Sequence, residues 1–198
     1  YENGHKRPLF IDWPWEDDTP SAKGWCDWPW QKNMEYKKPK DIVLRLVDLV
    51  ARNGGLLLSI NPRPDGALDQ GQIDLLLGVG KWLEQNGEAI YDTKYWRTFG
   101  EGPTEVGTGH HSEGGNKEFT GQDMRFTQKD GKVFAIMMAW PEKESVLIKS
   151  ITKDDKISKV KMLGSDATLK WSQSNEGLSV KMPKEKPGNH AFVLELTL

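Results

Sequence analysis

An α/β unit followed by an all-β unit is the fold class that the sequence predicts, and three features predict it. Apolar side chains recur at helical spacing over residues 42–50, next to a short, nearly continuous apolar run at 56–60. A second helical pattern follows directly, at about 69–86. Beyond a glycine-rich stretch the chain changes to about seven short runs separated by turn residues, the pattern of an antiparallel β-sandwich. The change falls within residues 96–117, dividing the chain into units 1–96 and 97–198.

Residues 1–39 show neither helical nor strand periodicity, and Pro8, Pro14, Pro20, Pro29 and Pro39 would interrupt a helix repeatedly. A long loop region ordered by its aromatics is expected there. Ile42, Val43, Leu46, Val47, Leu49 and Val50 then mark a helix at about 40–52, with Asn53-Gly54-Gly55 as a left-handed stop. Leu56-Leu57-Leu58-Ser59-Ile60 has the form of a strand buried on both faces of a parallel sheet, and Asn61-Pro62-Arg63-Pro64-Asp65-Gly66 breaks it. Asp69 and Gln72 resemble a capping box, Ile73, Leu76, Leu77, Gly80 and Leu83 continue one helical face, and Asn86-Gly87 closes it.

Helix, buried strand, helix is the grammar of an α/β sheet or barrel, yet a single strand cannot close a barrel. Its neighbours are expected from an upstream segment, so the 56–60 strand should pair in parallel outside this chain or stand at a partly exposed edge. In the second unit, strands are expected at 123–128, 132–140, 145–152, 159–163, 168–173, 178–182 and 191–198, with Lys129-Asp130-Gly131 as a turn. The connector carrying Gly100 to Gly115 should let the two units fold separately.

Composition removes several classes of partner. Across 198 residues, 27 basic side chains face 29 acidic ones, so no basic field exists for nucleic acid or an anionic membrane. The longest apolar run, residues 133–140, is far short of the roughly 18 to 20 residues of a membrane span. The chain opens Tyr1-Glu2-Asn3-Gly4-His5, so any targeting segment is expected upstream. His110-His111 lacks a neighbouring ligand cluster, so no metal is expected. Asp65-Gly66 reads as a turn, and Cys26 as a small packed side chain.

Of nine tryptophans, Trp13, Trp15, Trp25, Trp28 and Trp30 crowd into one short stretch, interleaved with Asp12, Glu16, Asp17, Asp18 and Asp27. Rigid aromatic faces cover the apolar side of a sugar ring while carboxylates bind its hydroxyls, and a carboxylate can protonate a leaving oxygen. A loop packed for its own rigidity is the equal alternative on composition.

Three longer motifs go further. Trp15-Glu16-Asp17-Asp18-Thr19 ahead of Gly24-Trp25, the run from Leu46 through Asn53-Gly54-Gly55-Leu56-Leu57-Leu58 to Pro62-Arg63-Pro64-Asp65-Gly66, and Gly80-Lys81-Trp82-Leu83 through Ala89-Ile90-Tyr91 together resemble the C-terminal part of the α-L-fucosidases of glycoside hydrolase family 29. The resemblance implies the C-terminal portion of a (β/α)8-type barrel over 1–96 and a β-sandwich over 97–198. It implies hydrolysis of terminal α-L-fucose from fucosylated glycans with retention, no cofactor, and a periplasmic or secreted location. The aspartate nucleophile would lie on an upstream segment of the same catalytic domain, and retention places the two carboxyls about 5 to 5.5 Å apart, so this chain alone is expected to be inactive.

For the acid/base, the resemblance implies two candidates. Glu2, in Tyr1-Glu2-Asn3-Gly4, matches a Tyr-Glu-Arg-Gly element with asparagine for arginine; Glu16 follows Trp15 as in the other branch of the family. Glu2 is favoured, because the Asn-Gly-Gly-Leu-Leu-Leu and Pro-Arg-Pro-Asp-Gly motifs resemble the first branch. Trp25, with Trp15, would line the sugar pocket. A noncatalytic carbohydrate-binding protein is the alternative function.

Overall fold

The structure, a computed structural model, describes residues 12–13, 15–24, 27–105 and 118–198. Its first unit alternates strand and helix: β1 (Trp15–Pro20), α1 (Pro39–Ala51), β2 (Gly54–Ser59) and α2 (Gln70–Asn86). The two strands pair in parallel, Trp15 opposite Gly54 and Pro20 opposite Ser59. Strand β1 therefore replaces part of the loop expected over 1–39, and β2 has a parallel neighbour within this chain. The hydrophobic pattern concealed β1 because two of its inward residues are Asp17 and Thr19, both fully buried. Arg45 Nη2 donates to Asp17 Oδ2 at 2.8 Å and Lys37 Nζ to Thr19 Oγ1 at 2.6 Å, so polar partners do there what apolar packing does elsewhere.

Helix α1 opens with Pro39 in its first turn and with the Asp41 carboxylate accepting the Lys38 amide at 3.0 Å. At its far end only Asn53 is left-handed, with φ 66°. Gly54 instead belongs to β2, where a Cβ would lie 2.5 Å from the Trp15 indole. It is glycine because the ring occupies that space. β2 is half-exposed rather than buried on both faces, and Leu57, at 54 % exposure, looks outward. The side of β2 away from β1 carries no strand among the described residues.

The second unit holds β3 (Lys94–Glu101), β4 (Met124–Lys129), β5 (Lys132–Met137), β6 (Ser145–Ile148), β7 (Lys159–Met162), β8 (Trp171–Ser174), β9 (Gly177–Lys181) and β10 (Phe192–Thr197). They form two antiparallel sheets, β3-β4-β5-β10-β7 and β6-β9-β8. Seven match the expected runs; β3 does not. Its register against β4 slips between Tyr95 and Gly100, an irregularity that destroys period-two alternation, and the expected division at 96/97 runs through it.

Between the sheets lie Phe126, Val133, Ala135, Met137, Ile148, Leu178 and Leu194. The alternate residues of β5 and β10, Phe134, Ile136 and Val193, face the other way, against Val43 and Val47 of α1 and Trp82 of α2. The uninterrupted apolar run at 133–140 thus reflects a strand covered on both faces. Trp82 Nε1 donates to the Ala191 carbonyl at 2.9 Å and Thr127 Oγ1 to that of Ala89 at 2.8 Å. The two units share a hydrophobic layer, which packs α1 and α2 against the larger sheet.

Candidate functional site

In open or closed α/β sheets, ligands sit beyond the carboxyl ends of the strands, where βα loops converge. At that end β1 runs into the segment 21–38 and β2 into 60–69. A buried polar knot joins them. Ser21 Oγ donates to Asn61 Oδ1 at 2.9 Å, and Gln72 Nε2 donates to Ser21 Oγ at 2.5 Å and to Asn61 Oδ1 at 3.3 Å. Ser21, Asn61 and Gln72 are each at most 1 % exposed. Asn61 Nδ2 then donates to the carbonyls of Asp27, at 2.8 Å, and Trp28. The Asn61 amide, just past the end of β2, therefore holds the backbone of the tryptophan-rich segment at Asp27 and Trp28.

That segment doubles back as an irregular hairpin. Ala22 bridges Tyr36, the Lys23 amide donates to the Glu35 carbonyl at 2.8 Å, and the Lys37 amide to that of Ser21 at 2.9 Å. Burial, with the nearby charge of Arg45, pushes Lys37 down to about 8. Trp28 is partly exposed, whereas the Trp30 indole donates to Asp69 Oδ2 at 2.8 Å.

Asp69 occupies the N-cap position of α2, but its side chain makes no capping bond, and Gln72 is turned into the knot. The expected capping box is thus replaced by two long-range contacts, since Tyr36 Oη also donates to Asp69 Oδ2 at 2.8 Å. Burial and Asp69 push the Tyr36 phenol up to about 12. Asp65-Gly66 is a turn, with Gly66 at φ 82° and its amide donating to the Arg63 carbonyl at 2.8 Å.

The sequence candidates that the structure describes, Glu16 and Trp15, lie at the amino ends of the strands. Glu16 is exposed, second in β1 and opposite Gly55, hence at the amino ends of both strands. At about 3.3 Å per residue, it stands about 13 Å from Pro20 at the other end. It borders a cleft of about 660 Å³ shared with Asp12, Gly55, Lys94 and Tyr95, where the first unit meets β3. Trp15, also on the lining of that cleft, is 8 % exposed, its ring packed on Gly54 and its Nε1 donating to the Arg52 carbonyl at 3.2 Å. Glu2, Trp25, Cys26 and the His110-His111 pair lie outside the described residues. Among the described residues, no three His, Cys, Asp or Glu side chains gather as a metal site, and no helix is long and apolar enough to cross a membrane. The sequence reading missed Ser21, Asn61, Gln72 and Asp69. The signal was available: a polar residue directly after an apolar strand, and a glutamine on the buried side of a helix.

The sequence pattern of the family described as alpha-L-fucosidase matches residues 2–88, and that of the alpha-L-fucosidase C-terminal domain matches 116–197. This chain belongs to the alpha-L-fucosidase family. The tissue alpha-L-fucosidase of Rattus norvegicus is 32 % identical over 99 % of this chain and 40 % of its own length, and the human plasma alpha-L-fucosidase is 27 % identical over 100 % of this chain and 39 % of its own. The crystal structure of Thermotoga maritima alpha-fucosidase in complex with fucose superposes with a TM-score of 0.76 at 25 % identity, covering 96 % of this chain and 40 % of that one. The chain spans about two fifths of the length of the curated relatives it matches. Within this alpha-L-fucosidase chain, the first match holds both parallel strands and the polar knot, the second holds β4 to β10, and β3 lies between the two.

Proposed function

We propose that this chain is the C-terminal portion of a retaining α-L-fucosidase that releases terminal α-L-fucose from glycans. The match of residues 2–88 to the family, spanning both βα segments at one end of the strands, carries this reading. In it, residues 1–96 complete a (β/α)8-type barrel whose earlier strands lie upstream, and 97–198 form the supporting sandwich. Two parallel strands, each followed by a helix, support the barrel reading.

An upstream aspartate attacks the anomeric carbon while the acid/base carboxyl protonates the glycosidic oxygen, so the aglycone leaves as an alcohol and a fucosyl ester remains. The same carboxylate then takes a proton from water, which displaces the ester and returns fucose with its configuration retained. Glu2 is the proposed acid/base. What supports it over Glu16 is that Glu16 stands at the amino ends of β1 and β2, against the sandwich. Trp25 is proposed to line the fucose pocket, shortly before the Asp27 and Trp28 carbonyls that Asn61 holds.

The test is Glu2→Gln in the complete gene product. Cleavage of fucosides with poor leaving groups should fall by about 10² to 10⁴, and cleavage of activated aryl fucosides far less, because only the former need a proton on the departing oxygen. Azide should rescue Glu2→Gly on an activated substrate. Equal losses on both substrates would remove Glu2 from the role, and fucose binding without turnover by the complete protein would make it a carbohydrate-binding protein.

A further inference from the structure

At the carboxyl ends of β1 and β2, a cleft of about 610 Å³ opens between the hairpin 30–36 and the loop 63–71. Its volume lies within the about 300 to 1,000 Å³ of small-ligand pockets. One wall is aromatic. Trp30 and Tyr36, both half-buried, are held by the same oxygen, Asp69 Oδ2, at 2.8 Å each. Asp69 does not cap its own helix, and Gly71 leaves room for the Tyr36 ring, which a Cβ would approach to 2.9 Å. The facing rim is the Arg63–Asp65 ion pair, exposed and tied to the loop by the Ala67 amide at 3.1 Å from Asp65 Oδ1.

We infer that this cleft is a subsite for a neutral pyranose, the sugar to which the fucose is attached. The identity of that sugar as the aglycone rests on the fucosidase reading; the sugar site itself does not. Aromatic side chains fixed at their polar edge by Asp69 keep an apolar face in place at little entropic cost, which suits the C–H face of a pyranose. The Arg63–Asp65 pair offers donors and acceptors in near balance, which suits hydroxyls better than a phosphate or a carboxylate. The cleft sits at the end of the strands where βα loops build sites, and it is separate from Glu16, at the other end. A leaving sugar placed there would determine which linkages are cut, leaving the bond-breaking groups themselves unaffected.

Trp30→Ala and Arg63→Ala in the complete gene product test this on two substrates. A disaccharide of fucose linked to galactose fills the subsite, and α-L-fucosyl fluoride, whose leaving group is a single atom, does not. Trp30→Ala should lower kcat/KM on the disaccharide by about tenfold or more, mainly through KM, and on the fluoride by less than about threefold, with Arg63→Ala smaller in the same direction. Equal losses on both substrates, or no loss on either, would overturn the subsite. Saturation-transfer NMR with lactose provides a readout independent of turnover. Transfer to the galactose ring that disappears in Trp30→Ala supports the sugar site even if the wild type cleaves no fucoside, in which case the fucosidase reading alone fails. Transfer that persists in Trp30→Ala, or is absent in the folded wild type, overturns it.

Discussion

Asp48 of α1 accepts a hydrogen bond from Arg125 Nε of β4 at 2.5 Å, with both residues at most 3 % exposed. The other Asp48 oxygen takes Arg52 Nε at 3.1 Å, and the Arg52 guanidinium lies 3.8 Å above the Phe99 ring of β3. One carboxylate therefore joins the helix that follows β1 to the first two strands of the sandwich.

Removing that carboxylate takes the shared anion away from two buried guanidinium groups. Asp48→Ala should cost about 3 to 5 kcal/mol, the range for breaking a buried pair from one side. Because the pair spans both units, denaturant unfolding followed by circular dichroism and by tryptophan fluorescence should give coincident curves for the wild type. Two separated transitions would show the units to be independent after all.

Gly54→Ala places a methyl 2.5 Å from the Trp15 indole, with ring and strand both confined. A loss of about 1 to 3 kcal/mol is expected from overpacking. Trp15→Phe in the same background should recover part of it, a coupling that a double-mutant cycle measures directly.

Asn61→Ala leaves the carbonyls of Asp27 and Trp28 without their side-chain donor and Ser21 without its acceptor, and leaves Gln72 only its bond to Ser21 Oγ. About 1 to 3 kcal/mol is at stake for buried polar groups left unpaired. In the complete gene product the loss should appear in kcat/KM on every fucoside alike, unlike the substrate-dependent loss expected for Trp30→Ala. Steady-state kinetics on an aryl fucoside and a fucosyl disaccharide make the distinction.

Acid stability should depend on Asp123. Burial pushes its carboxyl up, but the amides and hydroxyls of Thr120 and Thr104, at 2.7 to 2.8 Å, outweigh that and hold it below the usual range. The folded protein then binds fewer protons than the unfolded chain in this window, so this contribution is complete above the ordinary aspartate value of about 3.9 and is lost as pH falls through the lower native value. Asp155, where burial is outweighed by Arg97 and the Thr152 amide, adds in the same sense. Asp123→Asn should flatten the dependence of unfolding free energy on pH below about 4, checked by urea titrations at several acid pH values.

Helices α1 and α2 and seven of the eight sandwich strands were legible because their apolar spacing or turn punctuation reflects the faces they bury. Strand β1 was not, since the pattern carries no information about Asp17 meeting Arg45 from a helix 28 residues away. Strand β3 was hidden by its slipped register against β4. The same limit applies to the site. Asn61 looked like part of a strand breaker and Asp69 like a local cap, and both are explained only by partners brought close by the fold, at Asp27, Trp30 and Tyr36. Glu16 shows the converse: its motif was readable, but which end of the strand it occupies depended on the pairing with Gly55.

Strand β10 is the last strand of the chain, yet it lies between β5 and β7 inside the larger sheet. Until it is synthesised and inserted, β5 and β7 have no sheet to share, and Phe134 and Ile136 lack Val193 beside them beneath the helices. During translation the earlier strands therefore emerge with an open, apolar edge that β10 covers only once it follows, an interval in which a chaperone has something to hold. Ribosome stalling or premature stop codons just ahead of residue 192 should thus leave an aggregation-prone polypeptide.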